Sequence, residues 1–349
     1  MRLPALFVAF AAAALIAGPA LAQSSSERPA ERSISVGAGP ETTLAGTLVL
    51  PEGRPRAAVV MIQGTGPHKR DQTISGAPMF AEIAGALAEQ GVASLRLDVA
   101  GVGESTGPRT EHFLQRVPHM TAAFDVLAAR PELQGVPLGL FGHSEGTMVA
   151  TLVYADRAEK IDFLVLLGAP GVPGRSFWID QQSAADRFPD HDAAGLARVR
   201  AAFTAAADAA IAGDRAAVVA SAHMLAREVG IAEDKVETEL KDFIDRMASA
   251  EMKVLLGHDP APAFGEVEVP VLAVWGAIDP LTRPQLNAPA LLAAHAGKGE
   301  LTSVIIPGDE HFFLRGEGLK PGEHKRGAMK LSPDLVRVLA DWFADLKAE

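Results

Sequence analysis

The apolar run Val136-Pro137-Leu138-Gly139-Leu140-Phe141 leads directly into Gly142-His143-Ser144-Glu145-Gly146, and Met148 to Ala158 follows with helical character. A strand that passes into a helix through such a G-x-S-x-G pentapeptide turns sharply, and the turn lifts the Ser144 hydroxyl above a sheet. Both glycines have a steric reason, because backbone and helix approach each other closely where a serine is held in a strained turn. Pentapeptides of this form also occur as plain Gly-rich loops. What Ser144 does therefore depends on which acid and which histidine follow it.

The flanking pattern is that of alternating strands and helices. Ser33 to Pro51 reads as an antiparallel hairpin turning at Gly37 to Glu41. Strands are expected at Ala57 to Ile62, Val92 to Val99, Leu138 to Gly142, Phe163 to Gly168, Val269 to Trp275 and Leu301 to Ile306. Helices are expected at Met79 to Gln90, Val117 to Ala129, Pro284 to Ala296 and Ser332 to Lys347. Near-continuous apolar strands between helices indicate an α/β fold with a mostly parallel, twisted sheet covered on both faces. The alternation stops between Pro170 and Glu266, where Ala193 to Ala212, Arg215 to Glu228 and Ile231 to Met252 carry helical periodicity instead. An insertion of that length is expected to be a helical cap over the ligand-facing strand ends.

The N-terminus is of a different kind. Arg2, the apolar run Leu6 to Ala17 and the small-x-small sequence Ala20-Leu21-Ala22 read as a secretory signal peptide. The expected organisation is a signal peptide at 1–22, a polar leader at 23–32, core at 33–170, cap at 171–266 and core again at 267–349. Such a leader implies export, to the periplasm or the outside of the cell, without stable membrane insertion after cleavage. Net charge is −11 with the leader, an acidic balance that argues against nucleic acid as a partner. The chain has no cysteine, which excludes disulfides, thiolate metal sites and a cysteine nucleophile.

A serine hydroxyl needs an imidazole to take its proton and an acid to hold the imidazole's tautomer. Asp279 lies in Gly276-Ala277-Ile278-Asp279-Pro280, just past one expected strand, and His311 lies in Pro307-Gly308-Asp309-Glu310-His311, just past the next. His258, His295 and His324 compete for the base role, but none directly follows a strand beyond the candidate acid. A tetrahedral intermediate also needs two backbone donors. The amide of Glu145 is one candidate, and that of Thr65 in Gln63-Gly64-Thr65-Gly66-Pro67 is the other.

With these residues in view, the chain resembles the α/β-hydrolases of the serine-esterase and serine-aminopeptidase type. The resemblance rests on Gly142 to Gly146, on the Gln63 to Pro67 loop with Arg70-Asp71, and on Asp98-Val99-Ala100-Gly101-Val102-Gly103-Glu104-Ser105. It covers Ala57 to Asp341 apart from the cap, and the order serine, acid, histidine agrees with that of the family. Two departures stand out: Ala100 replaces the arginine of the family's D-x-R-G-x-G-x-S motif, and Thr147 replaces a common second glycine. The resemblance implies an α/β-hydrolase fold with an inserted helical cap and the catalytic residues Ser144, Asp279 and His311. It also implies an oxyanion hole from the Thr65 and Glu145 amides, with no metal or cofactor. Gln63, Phe177, Trp178 and Phe312 are candidates for substrate contact. The expected substrate is a small-molecule ester or a short peptide. Ester hydrolysis is the first reading; aminopeptidase or amidase action, acyl transfer, and a non-catalytic binding role remain the alternatives.

Overall fold

The computed structural model describes residues 29–295 and 297–346. The expected signal peptide and most of the expected leader lie outside the described residues.

Eight strands form the main sheet: β1 (Ala30–Gly37), β2 (Thr43–Leu50), β3 (Ala57–Ile62), β4 (Val92–Leu97), β5 (Leu138–His143), β6 (Phe163–Leu167), β7 (Val271–Gly276) and β8 (Leu301–Ile306). Their order is β1-β2-β4-β3-β5-β6-β7-β8, parallel except where β2 pairs antiparallel with β1 and β4. β3 is buried along its whole length. Its alternate residues serve two cores: Ala58, Val60 and Ile62 face one, Ala57, Val59 and Met61 the other. That is why the strand reads as an unbroken apolar run and not as an alternation.

α1 (Met79–Glu89) and α12 (Pro333–Asp345) cover one face through Phe80, Ile83, Leu335, Leu339 and Phe343. α2 (Arg116–Ala128) and α3 (Glu145–Arg157) cover the other through Phe124, Leu127, Val149 and Val153. One expectation shifts here: the leader was expected to reach residue 32, yet Ala30 to Arg32 already pair with Leu50 to Leu48. Those three side chains are exposed, so only the pairing, and no apolar alternation, marks them as strand.

Between β6 and β7 lie only helices: α4 (Gly174–Gln182), α5 (Ala193–Ala212), α6 (Arg215–Val229), α7 (Val236–Glu239), α8 (Lys241–Met247), α9 (Ala250–Gly257) and α10 (Ala261–Gly265). This is the inserted cap. α5 and α6 begin at Asp192 and Asp214, whose carboxylates accept from Gly195 and Ala217 amides, and end at left-handed Gly213 and Gly230. The single helical run expected over Ile231 to Met252 is instead broken. Leu240 leaves helical geometry, and the Ser249 hydroxyl caps a new helix by accepting from the Met252 amide. Two short ribbons complete the chain, Thr73–Ile74 with Ala77–Pro78 and Leu314–Gly316 with Met329–Leu331.

Adjacent β3 and β5 bring their carboxyl ends together, so the loop after β3 meets the turn after β5. A Cβ on Gly146 would press into the Ile62 carbonyl oxygen and lie 2.6 Å from that of Gln63. Gly146→Ala is expected to cost roughly 3 kcal/mol or more, read as a fall in Tm of at least about 5 °C. Gly85, inside α1 with nothing within 4 Å of an added Cβ, gives the opposite sign. Gly85→Ala should raise stability by about 0.5–1 kcal/mol through helix propensity, measurable in the same melts.

Candidate active site

Ser144 stands between β5 and α3 with φ 55° and ψ −124°. Its amide donates to the Leu167 carbonyl at 2.8 Å, which ties the turn to the end of β6. Thr147 answers for the missing second glycine: its hydroxyl donates to the Ser144 carbonyl at 2.7 Å. Ser144 is half-buried while its neighbours Gly142, His143, Glu145 and Gly146 are buried.

His311 and Asp279 meet across the loops after β8 and β7. The Nδ1–H of His311 donates to Asp279 Oδ2 at 2.8 Å, with Thr282 Oγ1 3.2 Å from the same nitrogen. Asp279 also accepts from the amides of Leu281 and Thr282, at 2.7 and 2.8 Å, and from the Thr282 hydroxyl at 2.6 Å. Burial would raise the Asp279 carboxyl, but the His311 ring and the Thr282 bonds outweigh it and hold the group below its ordinary value. With Nδ1 engaged as donor, Nε2 carries the lone pair of the neutral ring. Gly168, at φ 58°, makes room for this ring: a Cβ there would stand 3.1 Å from His311 Cε1.

Asp309, beside the base in sequence, has another task. It is buried and paired with Arg315, which also bonds Asp334 at 2.8 Å.

The loop carrying Thr65 is pinned from two sides. Arg116 on α2 is buried and donates to the carbonyls of Gly64 at 3.1 Å and Gln63 at 2.7 Å, and to Glu145 Oε1 at 3.2 Å. Burial pushes the Glu145 carboxyl above its ordinary range even with that guanidinium beside it. Gln72 accepts from the Gly64 amide at 2.9 Å and donates to His143 Nδ1 at 2.7 Å. Further back, Asp98 accepts from the Arg70 amide at 2.7 Å and pairs with its guanidinium at 2.8 Å, while Asp71 pairs with Arg96.

Thr65 and Glu145 share the wall of a cavity of about 220 Å³, with Val102, Phe113 and Arg116 beside them and Glu251 of the cap opposite. Ala100 lines the same cavity, as do Arg109 and Arg116. A wider cleft of about 1150 Å³ lies at the amino ends of β5 to β8, against Trp342 of α12. It is at the end of the sheet opposite to Ser144, away from where α/β sheets bind ligands.

Of the four expected substrate contacts, Gln63 and Trp178 are buried and Phe177 is half-buried. The Gln63 side chain is buried and donates to the Leu97 carbonyl, because a side chain leaving the end of β3 between two strands turns inward. Trp178 is buried edge-on against Phe203 within the cap, and Phe177 packs on the same core. Phe312 alone lies at the site, 5.1 Å from the His311 ring and 5.8 Å from that of His143. Gln72, Arg116 and Thr282 are not marked in the sequence: polar residues in loops and on a helix carry no periodic signal, although Thr282 three residues after Asp279 fits a local side-chain turn.

Comparison with known proteins agrees with this architecture. The α/β hydrolase fold model matches residues 57–315. Esterase EstD of Thermotoga maritima is 31% identical over 140 residues, which is 40% of this chain and 33% of that protein. The match therefore spans about a third of that relative's length. Among solved structures, the Pyrococcus furiosus esterase Pf2001 is 12% identical, with a TM-score of 0.52 over 81% of this chain and 84% of that one. The proline iminopeptidase of Mycobacterium smegmatis is 18% identical, with a TM-score of 0.53 over 90% and 98%. At such identities the solved structures speak for the fold.

The buried His143 gives the site a pH signature. Burial, then the His311 charge, lowers its pKa to about 3, against about 6.5 in an unfolded chain. Between those values the unfolded chain holds a proton that the folded one refuses, so stability falls as pH drops through that window, by about 1.4 kcal/mol per unit. Urea midpoints at pH 7 and pH 5 should show this loss. His143→Gln should reduce it by roughly 2 kcal/mol, the integral from pH 6.5 to 5.

Proposed function

The chain belongs to the α/β-hydrolase family, and we propose that it is a serine hydrolase that cleaves carboxylic esters through an acyl-enzyme on Ser144. The observation that carries this reading is the buried His311 Nδ1 to Asp279 Oδ2 bond of 2.8 Å, formed on the two loops that follow β7 and β8, with Ser144 held in a strained turn at the end of β5. His311 Nε2 takes the Ser144 proton as Oγ bonds to the ester carbonyl carbon. The amides of Thr65 and Glu145 receive the developing oxyanion; Glu145 opens α3, whose first amides have no intrahelical partner. His311 then returns the proton to the departing alcohol. Water adds to the acyl-enzyme with His311 again as base, which releases the acid and restores the serine.

An ester is favoured over an N-terminal peptide by what the cap's acids already do. Of Asp180, Asp186, Asp190 and Asp192, the cap acids that could hold a substrate ammonium, Asp180 and Asp186 face Arg283 at 3.8 and 3.6 Å and Asp192 caps α5, so three of these four are engaged. The cavity of about 220 Å³ is lined by Thr65 and Glu145 and not by Ser144 or His311, and we take it as room for an acyl group of a few carbons beyond the donor residues. The leader sequence supports export as part of the same proposal.

Nitrophenyl acetate or butyrate should turn over faster than the laurate ester. Ser144→Ala should lower kcat by several orders of magnitude, and Asp279→Asn by about 10⁴-fold. Undiminished turnover in Ser144→Ala would sink the mechanism. Asp309→Asn should lower Tm through its pair with Arg315 and leave the chemistry largely intact; a loss of kcat as large as that of Asp279→Asn would move the acid. N-terminal sequencing of protein recovered from outside the cytoplasm should begin at Gln23, and an intact Met1 start would contradict export with cleavage.

A further inference from the structure

We propose that Gln72 and His143 are positioning residues that lock the donor loop, the serine turn and the base loop into one geometry. The proposal rests on the assignment of Ser144, His311 and Asp279 made above. A single chain of buried hydrogen bonds joins the three segments. The Gly64 amide donates to Gln72 Oε1 at 2.9 Å, Gln72 Nε2 donates to His143 Nδ1 at 2.7 Å, and His143 Nε2 donates to the His311 carbonyl at 2.9 Å.

The direction of this chain is set by its ends. A backbone N–H can only donate and a backbone carbonyl can only accept, so one amide orientation of Gln72 and one tautomer of His143 satisfy every link. Both side chains are 1% exposed, so water does not offer a substitute partner. The chain therefore reaches from the residue before Thr65, through the residue before Ser144, to the backbone of His311 itself.

The backbone shows what these bonds hold in place. Among the described residues, four non-glycine residues have positive φ: Gln72 at 40°, Ser75 at 50°, Ser144 at 55° and Phe313 at 53°. Three of them lie on, next to, or two residues from a member of the chain. Strain of this kind persists only where the surroundings over-determine it. A neutral His143 is required throughout, and its low pKa agrees with that. The titratable groups around it are His311, Asp279 and His68, and Phe312 stacks on it.

Gln72→Glu tests the chain with little change of shape. A carboxyl buried beside a ring whose pKa is lowered to about 3 keeps its proton, so the introduced group accepts from Gly64 with one oxygen and donates from the other to His143 Nδ1. The variant should therefore retain most of kcat, and long-range nitrogen–proton NMR should find His143 neutral with the proton on Nε2 in it as in the wild type.

Gln72→Leu, which cuts the chain, should lower kcat about 10–100-fold with KM within about twofold, the pattern of a misplaced group that does not touch substrate. His143→Gln keeps a donor for the His311 carbonyl and should retain more kcat than His143→Leu by roughly tenfold. A merely structural role would lower Tm without separating Gln72→Glu from Gln72→Leu or the two His143 variants from each other. A kcat in Gln72→Leu equal to that of the wild type would overturn the proposal. So would a wild-type His143 protonated on Nδ1 or titrating near 6.5, a result that stands even if Gln72→Leu fails to fold. Activity that survives Ser144→Ala would instead overturn the nucleophile assignment, while the NMR tautomer would still report on the hydrogen-bond chain.

Discussion

The close approach of the β3 and β5 carboxyl ends governs the arrangement of this molecule. Because the strands are parallel neighbours, the turn after one passes within van der Waals range of the loop after the other. A Cβ on Gly142 would stand 2.6 Å from the Gly146 carbonyl oxygen, and one on Gly64 3.2 Å from the Ser144 Cβ. Glycine is thus required on both sides of the serine, and in the facing loop a side chain at position 64 would crowd the turn. The same crowding leaves Ser144 in the left-handed region, at a cost of order 1–3 kcal/mol. That is a sizeable part of a net stability of about 5–15 kcal/mol, so the packing around it has to be firm.

Burial and pairing compete at each charge near the turn, and the outcome differs for a countable reason. Asp279 accepts four hydrogen bonds, from Leu281, from the amide and hydroxyl of Thr282, and from His311, and these overcome its desolvation. Glu145 has one guanidinium at 3.2 Å, shared with two backbone carbonyls, and burial prevails. A carboxylate with its lone pairs filled stays ionised and can stabilise an imidazolium. One with a shared partner serves instead to keep Arg116 in place between α2 and the donor loop.

Much of this was legible in the chain, and the boundary has a physical form. Strands buried on both faces, such as β3 and β6, announce themselves as apolar runs. Ser144 and Asp279 could be picked out because they follow such runs, β5 and β7, while His311 follows the edge strand β8, which is only partly buried. Gln72 could not, since its partner His143 lies 71 residues away and its loop has no period. Arg116 reads as an ordinary helix residue until α2 is docked on the sheet. Gln63 illustrates the converse: a candidate for substrate contact by sequence, it turns its side chain to the Leu97 carbonyl, a direction that the sequence does not carry. In the cap, the alanine-rich periodicity found α5 and α6 but ran through the break at Leu240, where the change of direction comes from tertiary packing.

The reading of Ser144 as the one activated hydroxyl is tested most directly by treating the folded protein with a fluorophosphonate and mapping its peptides. One adduct is expected, on the peptide containing Ser144. No adduct in folded protein, or an adduct on another serine with Ser144 unmodified, would contradict it.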